Sequence, residues 1–350
     1  MDTLTHAISG AVIGAATGRS NAAEMRHRAL WGALFAAFPD SDIVMALFTD
    51  HFTYLNEHRG LTHSLVLLPV WAAILGWIGA APWRPEWRAR WRDMALLAAT
   101  VLAAHILGDL ITSYGTKVFT PFYDAPLAFP ITFIIDPVFT AILLVGLVAA
   151  LWKKRAAYAA ASGVVLAAYL VLQVFAQQWA TEIGRQHAAA IGAESAPVVV
   201  FPQPLSPFNW KVVVVESGNY HRAYVNLLED EPRERAGRDE NLLRRIASAY
   251  QPVHALQWKT YPRFPRDAEY RDVAYTAWSQ DGFAGFRTFA LLPYVTNMRG
   301  DERNVCVWFT DLRFTLQGMD SPFEYAMCRG LDGQWRMEMN KEKQAKRPDE

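Results

Sequence analysis

Residues 94–113 read MALLAATVLAAHILGDLITS. An apolar helix of about 20 residues, rising 1.5 Å per residue, matches the hydrocarbon thickness of a bilayer. This one nevertheless carries His105 and Asp109. Their four-residue spacing puts both side chains on one helix face, as in helical metal-ligand pairs. Burying an imidazole and a carboxylate in hydrocarbon is expensive unless a cation compensates, so the pair calls for partners on neighbouring segments.

Five more apolar segments accompany it, at 4–18, 29–48, 61–81, 131–152 and 156–179. Those at 61–81 and 156–179 contain no Asp, Glu, Lys or Arg and are long enough to span. The first is short, and its Gly10, Gly14 and Gly18 form a small-residue face suited to close helix packing. Met1-Asp2-Thr3 lacks the basic start of a signal peptide, so this stretch is expected to be a retained helix. Residues 1–179 hold 12 Lys/Arg and 11 Asp/Glu, against 22 and 23 from residue 180 onward. The charged fraction thus doubles near residue 180, which predicts a transmembrane domain over 1–179 and a soluble domain over 180–350.

Arg19, Arg26 and Arg28 lie between the first two segments, Arg84, Arg88, Arg90 and Arg92 between the third and fourth, and Lys153, Lys154 and Arg155 between the last two. The alternate loops hold only Arg59 and Lys117. Basic loops stay in the cytoplasm, so the tail is expected to be extracytoplasmic in a multi-pass protein. The run Trp83–Arg92 reads as an interfacial belt of aromatics and arginines. The net charge of zero gives no pointer to nucleic acid, and none is expected as a partner.

The tail is rich in β-branched and aromatic runs at 198–201, 210–215, 254–261, 273–278, 286–291, 305–314 and 323–329, read as strands. The charged stretch 229–250 reads as helix. Together these predict a small, mainly antiparallel β (α+β) domain. Cys306 and Cys328 lie symmetrically about residue 317, so a hairpin there would bring the thiols face to face. A disulfide and two unpaired buried cysteines are both open. Two cysteines exclude a cysteine-based zinc site.

The ionisable residues of the apolar segments are His6, Asp40, Asp42, His58, His63, His105, Asp109 and Asp136. Asp40 follows Arg28 by 12 positions and His105 follows Asp93 by 12, which places both about 18 Å up a core of about 30 Å. His6, His63 and Asp136 open segments that run the other way, so all fall in one outer layer. Imidazole and carboxylate together suit zinc, manganese or iron better than calcium or magnesium. The expected metal ligands are His6, Asp40, His58, His63, His105 and Asp109, holding one or two divalent ions, with zinc first. Asp42 is expected to be a general base or to orient a ligand. Arg59 is read as a clamp for an anionic head group or as a structural charge, and Asp136 as a cap before Pro137 or a ligand-orienting group.

The segments Met1-Asp2-Thr3-Leu4-Thr5-His6, Pro39-Asp40-x-Asp42, His58-Arg59-Gly60-Leu61-Thr62-His63-Ser64 and His105-x3-Asp109 with Thr112 and Gly115 resemble the membrane-bound metal-dependent hydrolase family, YdjM-like. In the tail, Phe208-Asn209-Trp210 and Asp311-Leu312-Arg313-Phe314 look like its longer members. The resemblance implies a hydrolase in a bacterial inner membrane. The expected fold is an α-helical polytopic bundle of five to six helices followed by the β-rich domain. The expected activity is hydrolysis of an ester or phosphoester, of a lipid or lipid-linked substrate, by metal-activated water. The alternative is a non-enzymatic membrane protein, a transporter or one with a structural metal; no pair of related halves with interrupted helices, the mark of a transporter, is visible.

Overall fold

The computed structural model describes residues 1–18, 21–80, 90–237, 239–300, 304–317 and 319–339. Arg19 and most of the Trp83–Arg92 belt (residues 83–89) lie outside the described residues. The chain divides into two compact units, Met1–Gln178 with Phe201–Phe208, and Trp179–Val200 with the chain from Asn209 onward.

The helices of the first part are α1 (Thr3–Thr17), α2 (Ala22–Ala37), α3 (His51–Glu57), α4 (Leu68–Gly79), α5 (Trp91–Leu110), α6 (Pro137–Lys153) and α7 (Ala156–Ala190). Asp2 caps α1, its carboxylate accepting the Thr5 amide at 3.0 Å. The glycine face of α1 lies on α2. A Cβ at Gly10 would stand 2.1 Å from the Gly32 carbonyl oxygen, and one at Gly14 2.1 Å from that of Arg28. Only glycine allows this approach.

α5 and α7 are each long and apolar enough to cross a bilayer. Two further pairs qualify as broken spans, namely α2 with the 3-10 stretch Pro39–Leu47, bent by 42°, and His51–His63 with α4, bent by 71°. Among the described residues there are thus two to four candidate spans. The unbroken helices expected over 29–48 and 61–81 are both interrupted, for local reasons. Pro39 offers no amide to α2 and crowds its last turn. Before α4 the Ser64 hydroxyl accepts the amides of Val66 and Leu67, and Pro69 occupies the first turn. α6 begins at Pro137 rather than 131. Asp136 is its N-cap, accepting from Val138 and Phe139 at 2.9 and 3.0 Å, while Thr132 and Tyr169 donate to its other oxygen at 2.7 Å each.

The burial pattern of α5 is that of a membrane helix. Its buried stripe Leu97, Val101, His105 and Asp109 faces the protein, whereas Leu96 is 69% exposed. The two ionisable residues of its second half, His105 and Asp109, are both on the buried side, away from where lipid would lie.

The second part of the chain builds two four-stranded antiparallel sheets, each in sequence order. The first contains β1 (Val198–Pro202), β2 (Asn209–Glu216), β3 (Asn219–Asn226) and β4 (Lys259–Pro262); the second contains β5 (Pro293–Gly300), β6 (Val305–Asp311), β7 (Glu324–Arg329) and β8 (Trp335–Met339). Three short helices are interspersed, α8 (Leu242–Ala247), α9 (Ala268–Ser279) and α10 (Ala284–Phe289).

The apolar runs at 273–278 and 286–291, expected as strands, fall instead on and around helices α9 and α10. Asp267 caps α9, and its buried residues Ala274, Ala277 and Trp278 recur at three- and four-residue spacing, which a six-residue window cannot separate from a strand. The helix expected over 229–250 shrinks to α8. Strands β3, β5 and β8 fall outside the expected set because polar residues occupy alternate positions. Lys211, fully buried on β2, donates to the carbonyls of Leu312 and Arg313 at 2.8 and 3.0 Å, and burial holds its ammonium well below the usual lysine range.

The hairpin of β6 and β7 sets Cys306 opposite Cys328, and the two are joined in a disulfide. This settles the alternative left open by the sequence. Neither cysteine is expected to take up an alkylating reagent in non-reduced, denatured protein, and both should after reduction. Labelling before reduction, read by mass spectrometry, would refute the bridge.

Candidate metal centre

The buried stripe of α5 ends in His105 and Asp109. His105 donates its Nδ1 proton to the Ala36 carbonyl at 2.7 Å, at the end of α2. That bond fixes the ring and the tautomer, leaving the Nε2 lone pair free. Nε2 points at His63 Nε2, 3.1 Å away. Two imidazole nitrogens this close, one of them necessarily a lone pair, need a proton or a cation between them.

Two carboxylates complete the cluster. Asp109 Oδ2 lies 3.1 Å from His63 Nε2 and 3.4 Å from His105 Nε2. Asp40 Oδ1 lies 3.8 and 3.5 Å from the same two nitrogens. The donor atoms of Asp40, His63, His105 and Asp109 all fall within 4.8 Å of one another. Asp40 Oδ2 and Asp109 Oδ2 are buried and accept no hydrogen bond. Asp109 Oδ2 faces the imidazole nitrogens and the neighbouring Asp40 carboxylate keeps one oxygen unpaired, a deficit that a cation would satisfy, so the residues fit a divalent metal. The side chains of His63, His105 and Asp109 are fully buried, whereas that of Asp40 is 13% exposed, so Asp40 forms the least buried edge of the cluster.

The breaks in the helices deliver these donors. Asp40 and Asp42 sit on the 3-10 stretch after Pro39, and His63 on a 3-10 turn before α4. Irregular backbone at membrane depth is tolerated where it lines a protein interior.

A second layer of contacts orients the first. His58 Nδ1 donates to Asp42 Oδ1 at 2.9 Å, and the Arg59 amide donates to Asp42 Oδ2 at 2.9 Å. Asp42 Oδ2 also lies 3.7 Å from His63 Nδ1. Arg59 adopts a left-handed backbone conformation, φ 65°, uncommon for a non-glycine residue and held here by its contacts. Its guanidinium is buried, 2.9 Å from Asp109 Oδ1 and 3.2 Å from Thr112 Oγ1, above the Tyr114 ring. His6 Nε2 lies 3.2 Å from Asp109 Oδ1, and its ring stacks on His105 at 3.6 Å. The Met1 ammonium also meets Asp109 Oδ1.

Of the six residues expected to bind metal, the structure gathers four into one cluster. His6 stands against Asp109 of the cluster, and His58 is bonded to Asp42, outside the four. Asp136 is occupied at the α6 cap, and Arg59 turns its charge to Asp109. The Ala36 carbonyl and Tyr114 were not foreseen. A carbonyl has no sequence signature, whereas Thr112, three residues after Asp109, shared the helix-end motif. Among the described residues a second grouping, Cys306, Cys328 and Glu338, is a disulfide beside an exposed glutamate and has no thiolate to offer a metal.

Comparison with known proteins places this cluster in context. An "Uncharacterized protein YfhP" of Bacillus subtilis (strain 168) is 28% identical over 144 residues, covering 39% of this chain and 42% of that protein. The chain therefore spans well under half the length of that curated relative. No solved structure matches. The sequence model of the YdjM inner membrane protein family matches residues 1–180, the stretch that supplies every donor of the cluster, and the chain belongs to that family.

Proposed function

We propose that this protein is a membrane-embedded, metal-dependent hydrolase that cleaves an ester or phosphoester bond of a lipid or lipid-linked substrate. The observation that carries the reading is the convergence of Asp40, His63, His105 and Asp109 on one buried point. These four residues would hold a divalent ion, zinc first, with manganese or iron as alternatives. When bound, such an ion polarises a scissile ester and acidifies water. The protein's own groups do the rest. Arg59 balances the charge of Asp109, and the Ala36 carbonyl holds the His105 ring in place. His58, half-buried and tied through Nδ1 to Asp42, presents Nε2 as proton acceptor, with Asp42 fixing its tautomer. Asp40, the least buried edge of the cluster, marks the side from which substrate arrives.

The proposed topology has five to six membrane passes with the tail outside. The ion pairs Arg28–Asp93 and Arg90–Glu24 support it, because they bring the first and second basic loops to one end of the helical unit. The disulfide supports an oxidising compartment for the tail.

Purified protein incubated with bacterial lipid extract is expected to release a cleaved head group or acyl chain, and His105→Ala to abolish the release. Turnover unchanged in His105→Ala would overturn the reading. A second reading is favoured by the donor count, since four protein ligands can close a tetrahedral structural site. In that case wild-type protein binds metal but shows no turnover on any lipid fraction.

A further inference from the structure

The β-rich unit holds a cavity of about 460 Å³, walled by Arg222 and Tyr224 of β3, by Lys259 and Tyr261 of β4, and by Arg235 and Arg245 from the segment between them. The described residues lining it include four cations and no carboxylate. In a chain with 34 basic and 34 acidic residues, that segregation needs a cause. The strand register makes it sharper, because Arg222 pairs directly opposite Lys259. Like charges facing across an antiparallel pair repel each other.

Arg222 is the most telling of the four. Its guanidinium lies 4.5 Å from the Tyr224 ring centroid and 4.6 Å from that of Tyr261. Its Nε is buried with no hydrogen-bond partner, and the side chain forms no ion pair among the described residues. Two aromatic rings fix the plane of the fork and leave its edge for a ligand. A partly buried cation without an anionic partner is costly, and an oxyanion in the cavity would relieve both this cost and the repulsion from Lys259.

We propose that this cavity binds the phosphate of an anionic ligand, with Arg222 as a bidentate donor and Lys259 as a point charge. Arg235 and Arg245 supply the remaining positive field. Arg222 and Lys259 together exceed what a single carboxylate would balance, and a doubly charged phosphate group suits them better. The site is built wholly from residues of the second unit, and its reading does not depend on hydrolysis at the metal centre.

The test uses the full chain in phosphatidylcholine nanodiscs, with a chelator present so that the metal centre takes no part. Inorganic pyrophosphate and dihexanoyl phosphatidic acid, a phosphomonoester lipid, below its micelle concentration are each titrated by calorimetry. Saturable one-to-one binding of at least one probe is expected, weaker by about tenfold in Arg222→Gln and in Lys259→Gln. Exposed Arg271→Gln should bind as wild type does. Binding of pyrophosphate alone identifies a soluble phosphorylated ligand; binding of the lipid alone identifies a head group. Should Arg222→Gln fail to fold, Lys259→Gln, at an exposed position, decides alone. Failure of both probes to bind, or wild-type affinity in the folded cavity variants, overturns the proposal.

Discussion

Asp109→Ala is expected to lose bound divalent metal and about 3–5 kcal/mol of stability together. Among the described residues of the helical unit, no other side chain has as many charged partners. One oxygen meets the Arg59 guanidinium, the His6 ring and the Met1 ammonium, and the other faces His63 and His105. Truncation removes a donor from the cluster and strands a buried guanidinium, whose other hydrogen-bond partner is the Thr112 hydroxyl. The His105→Ala variant separates the two effects, because it leaves the Arg59–Asp109 pair in place. It should lose metal while keeping most of its resistance to unfolding. Metal content and the unfolding midpoint in detergent, measured on both variants, check this. An Asp109→Ala protein with wild-type values of both would contradict it.

Gly10→Val is expected to cost about 3 kcal/mol through overpacking at the α1–α2 contact. The first added carbon would fall 2.1 Å from the Gly32 oxygen and 2.6 Å from the Ala36 Cβ, with no flexible side chain to yield. α1 must then withdraw from α2. Since α1 carries His6, and α2 ends at the carbonyl that holds His105, metal retention should weaken as well. Gly163→Val is the matched control, because a Cβ there meets nothing within 4 Å. It should unfold with the wild type, and comparable losses in both variants would refute the packing explanation.

Much of the site was legible in the sequence because hydrocarbon makes polar residues conspicuous. His105 and Asp109 stand out in a run of Leu, Ala and Val, the arithmetic of helix rise placed Asp40 at the depth of His105, and His63 opened a segment running the other way. The breaks at Pro39 and before Pro69 were harder to see. They lie in segments whose average hydropathy is that of an intact span, and only the backbone shows that the ligands sit on 3-10 turns. The orienting contacts were harder still. The His105–Ala36 bond joins residues 69 positions apart, and the turning of Arg59 toward Asp109 depends on a left-handed backbone conformation that neither residue's identity demands. In the tail, propensity failed where the stakes were smallest. A short run such as Val273–Trp278 fits either period, and the Asp267 cap decided for helix.

The most direct test is elemental analysis with X-ray absorption on the full chain purified in detergent, wild type beside His105→Ala. About one divalent ion per chain with mixed nitrogen and oxygen ligands, lost in the variant, is the expected result. A wild-type protein that retains no divalent metal even after loading, or a variant that retains it undiminished, would contradict a shared ion held by Asp40, His63, His105 and Asp109.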